Sequence, residues 1–357
     1  MTGKMYSQRL GSISDAQFQA ALDRFHAGRF LQAEAISFGI FGQNVFVSST
    51  TGDYVLRGDP HFWWQFPTEQ YFARLLHERT SVPVPWPYRI DPTSDIFGWS
   101  FVLMPRMPGL QLADPQVKKQ LGSADKRGIA QALGENLAQM QEVTMPFAGR
   151  YNASLETIEP FELAYELVWP LPVASDASLK PKIITYSERV TACLRHILNR
   201  AHEYNAQTTT ANDILWVEEL IAEAQDVLDE TFVPCLLMED YKEGNLVVTQ
   251  QNKRWQVSGM FDLMEAHFGD GEADLSRPIA EYLNEDPQLA GAFFAAYLKH
   301  KSLRPGFARR FPVYMLLDRV ILWEFFQRHS WRLCPEGWTF RDWAGRYVAP
   351  PVIFEQL

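Results

Sequence analysis

The chain has 357 residues, of which 46% are hydrophobic and 21% charged, and its formal net charge is −10. This length favours two lobes over one small domain. The negative charge argues against a protein that grips nucleic-acid phosphates. It suits a cationic substrate, although mild acidity is common among soluble proteins.

The pattern of apolar residues predicts these elements: a helix at 14–35 capped by Ser14, strands within 36–57, a helix at 68–79, an extended link at 82–87, a strand at 99–104, and helices at 123–143, 187–204, 212–230 and within 276–333.

The cysteines and the hydropathy pattern bear on where the protein works. Cys193, Cys235 and Cys334 are scattered, which favours buried thiols in a reducing compartment over a disulfide framework or a zinc site. No run of about 18 apolar residues is present, and the N-terminal segment lacks the apolar core of a secretory signal. We therefore expect a cytoplasmic protein with no membrane partner, and its oligomeric state stays open.

Two polar motifs beside apolar strand-like runs carry the chemical information. The run that starts at Cys235 leads into Asp240, and Asn245 follows five residues later. A second apolar run ends at Asp262. One base and two oxygen ligands are what metal-assisted phosphoryl transfer requires. We expect the three side chains to converge at the ends of a hairpin.

These segments resemble the catalytic and metal-binding loops of the aminoglycoside phosphotransferase family, the small-molecule relatives of protein kinases, with choline-kinase-like members among them. That family reads roughly His-Gly-Asp-Leu-His-Pro-Gly-Asn and then Ile-Asp-Phe-Gly-Asp-Ala-x-x-Gly-Asp-Pro-x-x-Asp-Leu. The two blocks together are a specific signal, whereas Asp-x-x-x-x-Asn alone is not. The matching positions here are Asp240, Gly244, Asn245, Asp262, Ala266, Gly269, Asp270, Asp274 and Leu275.

The resemblance, which covers about residues 35–281, implies an α+β, two-lobed protein-kinase-like fold. We expect a small β-rich N-lobe and a larger, mainly helical C-lobe. Residues 1–104 are predicted to form the nucleotide-binding lobe, with a helical extension over 1–30. Residues 105–357 are predicted to form the catalytic and substrate-binding lobe, with Pro105–Gly109 as a hinge.

The resemblance also implies chemical roles in the two motifs. Asp240 is the candidate proton acceptor for the attacking hydroxyl, and Asn245 and Asp262 are candidate Mg²⁺ ligands. Asp274 is expected to tie down the catalytic loop. Three of these residues also have an ordinary alternative: Asp240 as a turn Asp bonded to its own backbone, Asn245 as a turn Asn before a strand, and Asp262 as a strand-end Asp. The shared register favours the functional interpretation.

The N-terminal region offers candidate nucleotide contacts. Arg57 stands where the family has a basic residue for the nucleotide phosphates, and Glu69 is its expected partner, although a surface ion pair is the ordinary alternative. Gly39 and Gly42 form a candidate flap over the phosphates, which a plain hairpin turn would explain equally well. Met104, at the start of the predicted hinge region, and Arg106, within it, would contact the adenine through backbone groups.

Several positions depart from the family pattern. Met238 replaces the usual His two residues before the candidate base, and Glu239 replaces the small residue between them. Lys242 and Glu243 replace His-Pro, and 263–265 replace Phe-Gly-Asp. A thioether cannot make the hydrogen bonds of the His, although Met fills the space. None of these changes removes a candidate oxygen ligand or the candidate base.

The sequence therefore predicts an ATP- or GTP-dependent kinase that phosphorylates a hydroxyl of a small molecule, such as an aminoglycoside, an amino alcohol or a sugar. A degenerate kinase-like protein that binds a nucleotide or a partner without catalysis is the alternative. A protein kinase is disfavoured because His-Arg-Asp, Asp-Phe-Gly and Ala-Pro-Glu segments are absent from the sequence.

Overall fold

The computed structural model describes residues 3–36, 41–168 and 182–355. The strands are β1 (Lys4–Ser7), β2 (Gly11–Ile13), β3 (Phe30–Ala35), β4 (Asn44–Ser49), β5 (Gly52–Gly58), β6 (Arg89–Asp91), β7 (Phe101–Pro105), β8 (Leu110–Gln111), β9 (Gly149–Asn152), β10 (Thr157–Pro160), β11 (Cys235–Leu237), β12 (Leu246–Gln251), β13 (Arg254–Met260) and β14 (His267–Gly269). The helices are α1 (Asp15–Arg24), α2 (Gln65–Arg79), α3 (Pro115–Gln120), α4 (Ser123–Met140), α5 (Leu163–Val168), α6 (Tyr186–Tyr204), α7 (Ala211–Leu228), α8 (Ser276–Glu285), α9 (Pro287–Leu298), α10 (Phe307–Arg328), α11 (Phe340–Val348) and α12 (Pro351–Phe354).

The chain divides into two compact units. Unit 1 comprises Met1–Met140, Asn152–Thr157 and Lys242–Ala266. Unit 2 comprises Gln141–Tyr151, Ile158–Tyr241 and His267–Leu357. The predicted lobes, 1–104 and 105–357, stay a prediction.

Unit 1 contains a five-stranded antiparallel sheet in the order β3-β4-β5-β7-β6. Successive residues of β7 point to opposite faces of the sheet, so Leu103 packs on one side and Val102 on the other. The first face is covered by α1, whose Phe18 and Leu22 are fully buried. Phe66 of α2 packs on the second face. The sheet is thereby held between two apolar clusters, which fixes the register of β5 and the position of Arg57 on that strand.

The helix predicted at 14–35 is only partly correct. Ser14 caps α1 as predicted, in a capping box with Gln17, but the helix ends at Arg24 and residues 30–35 form strand β3. His26 and Gly28 have positive φ values of 52° and 82°, which an α-helix cannot contain. The predicted helical extension over 1–30 is likewise corrected, since β1 and β2 form a hairpin ahead of α1.

Unit 1 also contains the hairpin that joins the two motifs. Strand β12 pairs with β13 and, on its other side, with β8. Asn245 immediately precedes β12, and Asp262 lies two residues after β13 ends at Met260. The strand that precedes Asp240, β11, pairs instead with β14 in a different sheet. The prediction that one hairpin presents all three residues is therefore corrected.

Unit 2 is mainly helical. Its sheet has the order β10-β9-β14-β11, and α10 packs against α6, α7 and α11. Helices α6 and α7 match the predicted helices closely, and both begin at a Thr capping box. In the part of the chain that the structure describes, no helix combines the length and the apolar character needed to span a membrane.

Candidate functional site

Arg57 lies at the centre of a buried ion-pair cluster in unit 1. It is on β5, and only 5% of its side chain is exposed. Its Nη1–H donates to Oε2 of Glu69 on α2 at 3.0 Å, and its Nη2–H donates to Oδ1 of Asp262 at 2.9 Å. The Tyr88 hydroxyl also donates to Oε2 of Glu69, at 2.5 Å. The predicted pairing of Arg57 with Glu69 is thus present, and the arginine also reaches the Asp of the second motif.

The charges in this cluster compensate one another. Burial alone would lower the pKa of Arg57, but the carboxylates of Glu69 and Asp262 outweigh it and raise that pKa above its ordinary value. Burial would raise the pKa of Asp262, but the Arg57 cation lowers it below its ordinary range. Asp262 is therefore a carboxylate at neutral pH, the form that binds a cation.

Asn245 and Asp262 flank the β12–β13 hairpin, and their backbones are linked. The Phe261 N–H donates to the Asn245 carbonyl oxygen at 3.2 Å. Asp262 has a φ of +72°, a strained backbone conformation for a residue other than glycine. One amide oxygen and one carboxylate are hard donors that suit Mg²⁺, which usually completes its shell with phosphates and water. Among the described residues, no group of three or more His, Cys, Asp or Glu side chains could hold a metal ion.

The glycine-bearing loop before β4 is held by the N-terminal hairpin. The Ser7 hydroxyl donates to the Gly42 carbonyl oxygen at 2.6 Å, and Gly42 has a φ of +60°. Gln43 follows, with its side-chain amide donating to the Asp59 carbonyl at 2.6 Å. Gly39 lies in residues 37–40, outside the described residues, so its predicted role stays a prediction.

The two predicted hinge residues lie at and just beyond the end of β7. Met104 is buried and pairs in register with Val55 of β5. The Arg106 N–H donates to the Asp53 carbonyl at 3.0 Å, and its guanidinium lies 3.7 Å from the centre of the Phe46 ring. These contacts hold the chain where it leaves β7. Contact of Met104 and Arg106 with the adenine stays a prediction.

Asp240, in unit 2, lies beside an arginine that the sequence analysis did not identify. Oδ1 of Asp240 is 3.6 Å from Nε of Arg277 on α8. The same Nε is 2.7 Å from Oδ1 of Asp318 on α10. Asp240 is the more exposed carboxylate, with 27% of its side chain accessible against 9% for Asp318. Arg277 therefore faces the candidate base while a buried carboxylate holds it in place.

Asp274 holds the backbone just before Asp240, as the sequence analysis expected. Its two carboxylate oxygens accept the N–H groups of Met238 at 2.6 Å and Glu239 at 2.9 Å. Burial raises the pKa of Asp274 to about 7, against the lowering by these two N–H groups. The link between the second motif and the first thus runs through a buried carboxyl group.

A second group that the sequence analysis missed surrounds Glu239. Arg189 on α6 donates through Nη2 to both carboxylate oxygens of Glu239, at 3.1 and 3.2 Å. Arg189 also donates through Nε to Glu166 at 2.7 Å, and Arg150 completes the group with bonds to both oxygens of Glu166 at 3.1 and 3.2 Å. No motif marks Arg189. The one sequence signal for this group was Glu239, a glutamate in place of the family's small residue beside the candidate base, because a charged side chain there requires a partner.

Comparison with known proteins now identifies the class of protein. A model of the phosphotransferase enzyme family matches residues 32–310, and the chain belongs to that family. No curated protein matches the chain.

Three solved structures show the likeness in fold. A mutant of an aminoglycoside 2'-phosphotransferase, in complex with GDP, is 15% identical, with a TM-score of 0.56 over 89% of this chain and 92% of that one. A thermostable mutant of aminoglycoside phosphotransferase APH(4)-Ia, in a ternary complex with ADP and hygromycin B, is 14% identical, with a TM-score of 0.55 over 94% and 97%. A microcompartment-associated aminopropanol kinase is 13% identical, with a TM-score of 0.55 over 93% of both chains. The predicted α+β fold, with a sheet-containing N-lobe and a helical C-lobe, is confirmed.

Proposed function

We propose that this protein transfers the γ-phosphate of a nucleoside triphosphate to a hydroxyl group of a small molecule, with Mg²⁺ as the required ion. The observation that carries the proposal is the buried cluster of Arg57, Glu69 and Asp262. Within unit 1, the cluster joins the Arg57 cation on β5, the Glu69 carboxylate that orients it, and Asp262 of the second motif. Phosphoryl transfer depends mostly on positioning and charge stabilisation, and such a cluster supplies both.

Arg57 would bind the nucleotide phosphates, and Glu69 and Tyr88 would hold its guanidinium in place. A guanidinium is always charged and binds phosphate in a bidentate manner. Asn245 and Asp262 would hold Mg²⁺, which when bound neutralises the charge on the phosphates. The backbone of the Gly42 loop would cover the phosphates, with Ser7 limiting its movement.

Asp240 would accept the proton of the acceptor hydroxyl and orient that oxygen toward the phosphorus. A loose transition state needs little prior deprotonation, so the main contribution of the carboxylate is to position the hydroxyl. Arg277 limits the directions in which the Asp240 carboxylate can point, because its own guanidinium is held by Asp318. The result would be a base with a restricted orientation, of which 27% of the side chain is accessible.

The family and the relatives of known structure support the proposed acceptor class. Those structures contain ADP with hygromycin B in one case and GDP in another. We propose ATP or GTP as donor and an aminoglycoside, amino alcohol or sugar-like acceptor, in the cytoplasm. In unit 2, a cleft of 380 Å³ is lined in part by aromatic side chains, against which a ring of such an acceptor would pack. Its aromatic lining residues are Tyr204, Trp323, Phe326, Trp331 and Trp338.

The alternative is a degenerate protein that binds nucleotide without transferring phosphate, and Met238 is the observation that favours it. The Asp240→Asn variant separates the two. A kinase should lose about 10²–10⁴-fold in kcat and keep its affinity for the Mg²⁺–nucleotide. The matched control is Asp23→Asn, at an exposed carboxylate on α1, which should leave kcat unchanged.

Nucleotide binding gives a test that needs no acceptor. Isothermal titration calorimetry with ATP and GTP, each with and without Mg²⁺, should show binding that depends on the metal. Asp262→Asn should weaken the Mg²⁺-dependent part, because it removes the anionic oxygen donor. If neither nucleotide binds the wild-type protein under any of these conditions, the proposed function is wrong.

A further inference from the structure

We infer that Glu239 is a positioning residue that braces the loop carrying Asp240, through Arg189 and His267, in place of the histidine that its family has two residues before the base. This inference rests on the proposed function. Its basis is geometric, since Glu239 immediately precedes Asp240 and its side chain is held by two groups from elsewhere in unit 2.

The backbone at Glu239 explains why a special arrangement is needed. Its φ is +66°, in the left-handed region that glycine adopts without penalty and other residues seldom do. The family pattern has glycine at this position, so the loop retains the glycine conformation although the residue is a glutamate. A strained conformation persists only where the surrounding contacts hold it.

Those contacts join two buried side chains, Arg189 and His267, to a carboxylate that is 22% exposed. The Arg189 guanidinium donates to both carboxylate oxygens, at 3.1 and 3.2 Å, and Nδ1 of His267 lies 3.3 Å from Oε2. Burial and the Arg189 cation lower the pKa of His267, so the imidazole is neutral and donates its Nδ1–H. Burial would raise the pKa of Glu239, but Arg189 and His267 lower it well below its usual range. The carboxylate is therefore ionised and bonded on both sides.

Arg189 is itself fixed, so the brace is rigid. Its Nε bonds to Glu166 at 2.7 Å, and Arg150 holds both oxygens of Glu166. Two arginines and two glutamates balance in charge, which is the condition under which buried ions are tolerated. The brace thus connects α5, α6 and β9 to the residue before the candidate base.

Two independent anchors then meet at one residue, Glu239. Asp274 binds the backbone N–H of Glu239, while Arg189 and His267 bind its side chain. The Met238 side chain adds no comparable anchor, because a thioether forms only weak hydrogen bonds. With both anchors present, Glu239 is held through its backbone N–H and through its side chain, and this restricts rotation of the next peptide, which leads into Asp240.

The test is the Glu239→Gly variant, which keeps the backbone conformation and removes the side-chain anchor. We expect kcat to fall about 10- to 100-fold, while KM for the nucleotide stays within about twofold, because misplacement of the base affects the chemical step. The matched control is Glu156→Gly, at an exposed glutamate with a φ of +53°. That variant relieves similar strain and should leave kcat unchanged.

Amide hydrogen exchange of residues 238–241 supplies a readout that is independent of activity. In Glu239→Gly, exchange at this segment should accelerate at least tenfold, with little change in the β4–β5 sheet. Glu239→Gln, which keeps the shape and one hydrogen bond, should give an intermediate kcat and covers the case in which the glycine variant fails to fold. An unchanged kcat in both variants, or faster exchange without loss of kcat, overturns the inference. If the wild type binds no nucleotide, the proposed function fails instead, and unaltered exchange would then reject the brace separately.

Discussion

Removal of Arg57 is the change whose consequence is clearest from the structure. In Arg57→Met a side chain of similar length stays in place, but Glu69 loses its cation while it remains almost fully buried. Breaking a buried pair by removing one partner costs about 3–5 kcal/mol. Glu69 keeps the Tyr88 hydroxyl at 2.5 Å and the Gln65 amide at 3.3 Å, so we expect the lower end, about 3 kcal/mol.

The pH dependence of this loss has a definite sign. Burial already raises the pKa of Glu69 above its ordinary value of 4.5, against the lowering by Arg57, and without Arg57 that pKa rises further. A carboxyl group with a raised folded-state pKa costs nothing below its unfolded-state pKa of about 4.5. Its cost grows as the pH rises from there to the folded-state pKa and is constant above it. The deficit of Arg57→Met relative to wild type should therefore be smaller at pH 5 than at pH 8.

Urea unfolding followed by circular dichroism measures the effect, with the double variant Arg57→Met/Glu69→Gln as control. The double variant has no unpaired buried charge at this pair, so it should recover about 2 kcal/mol of the loss. A deficit below about 1 kcal/mol, equal at both pH values and unchanged in the double variant, would refute the reasoning.

Three further predictions concern other positions. Gly269→Ala should destabilise the protein by about 1–3 kcal/mol, because the added Cβ would lie 2.3 Å from Cε2 of Tyr186; a loss below about 0.5 kcal/mol in urea unfolding would contradict this. Gly345→Ala, inside α11 with nothing within 4 Å of the new Cβ, should raise the free energy of unfolding by about 0.5–1 kcal/mol, and a loss would contradict it. Burial raises the pKa of Asp274 to about 7, so ionisation of this carboxyl group destabilises the folded state. Below about pH 4 the group is protonated in both the folded and the unfolded state, and this cost is absent. Wild type should therefore lose stability relative to Asp274→Asn as the pH rises from 5 to 8, whereas a constant difference would oppose it.

The sequence predicted the elements whose apolar spacing is long and regular. Helices α6 and α7 were placed to within two residues, because each has a Thr cap and a continuous apolar face. Short elements were missed. The strands β9 and β10 have four residues each, too few for an alternating pattern to be distinguished from a loop. The helix predicted to run to residue 35 ends earlier, because residue propensities do not predict the positive φ of His26.

The residues of the candidate site likewise divide into those that the sequence predicted and those that it did not. Motif spacing identified Asp240, Asn245 and Asp262 as candidates, and the resemblance to the family implied the pairing of Arg57 with Glu69. It did not identify Arg189, which lies 50 residues from Glu239 in the chain. A buried cation shows no periodicity and no local motif, since its position depends on which helices pack together. Such partners become visible only once the fold brings distant residues into contact.

The N-terminal hairpin and α1 matter for how this protein is handled in the laboratory. The family match begins at residue 32, so a fragment trimmed to that boundary would omit Ile13, Phe18 and Leu22. These side chains cover one face of the five-stranded sheet. Their loss would leave the apolar residues of β4, β5 and β7 in water, and such an exposed sheet face invites association between molecules. An expression fragment for this protein should therefore retain its first 31 residues.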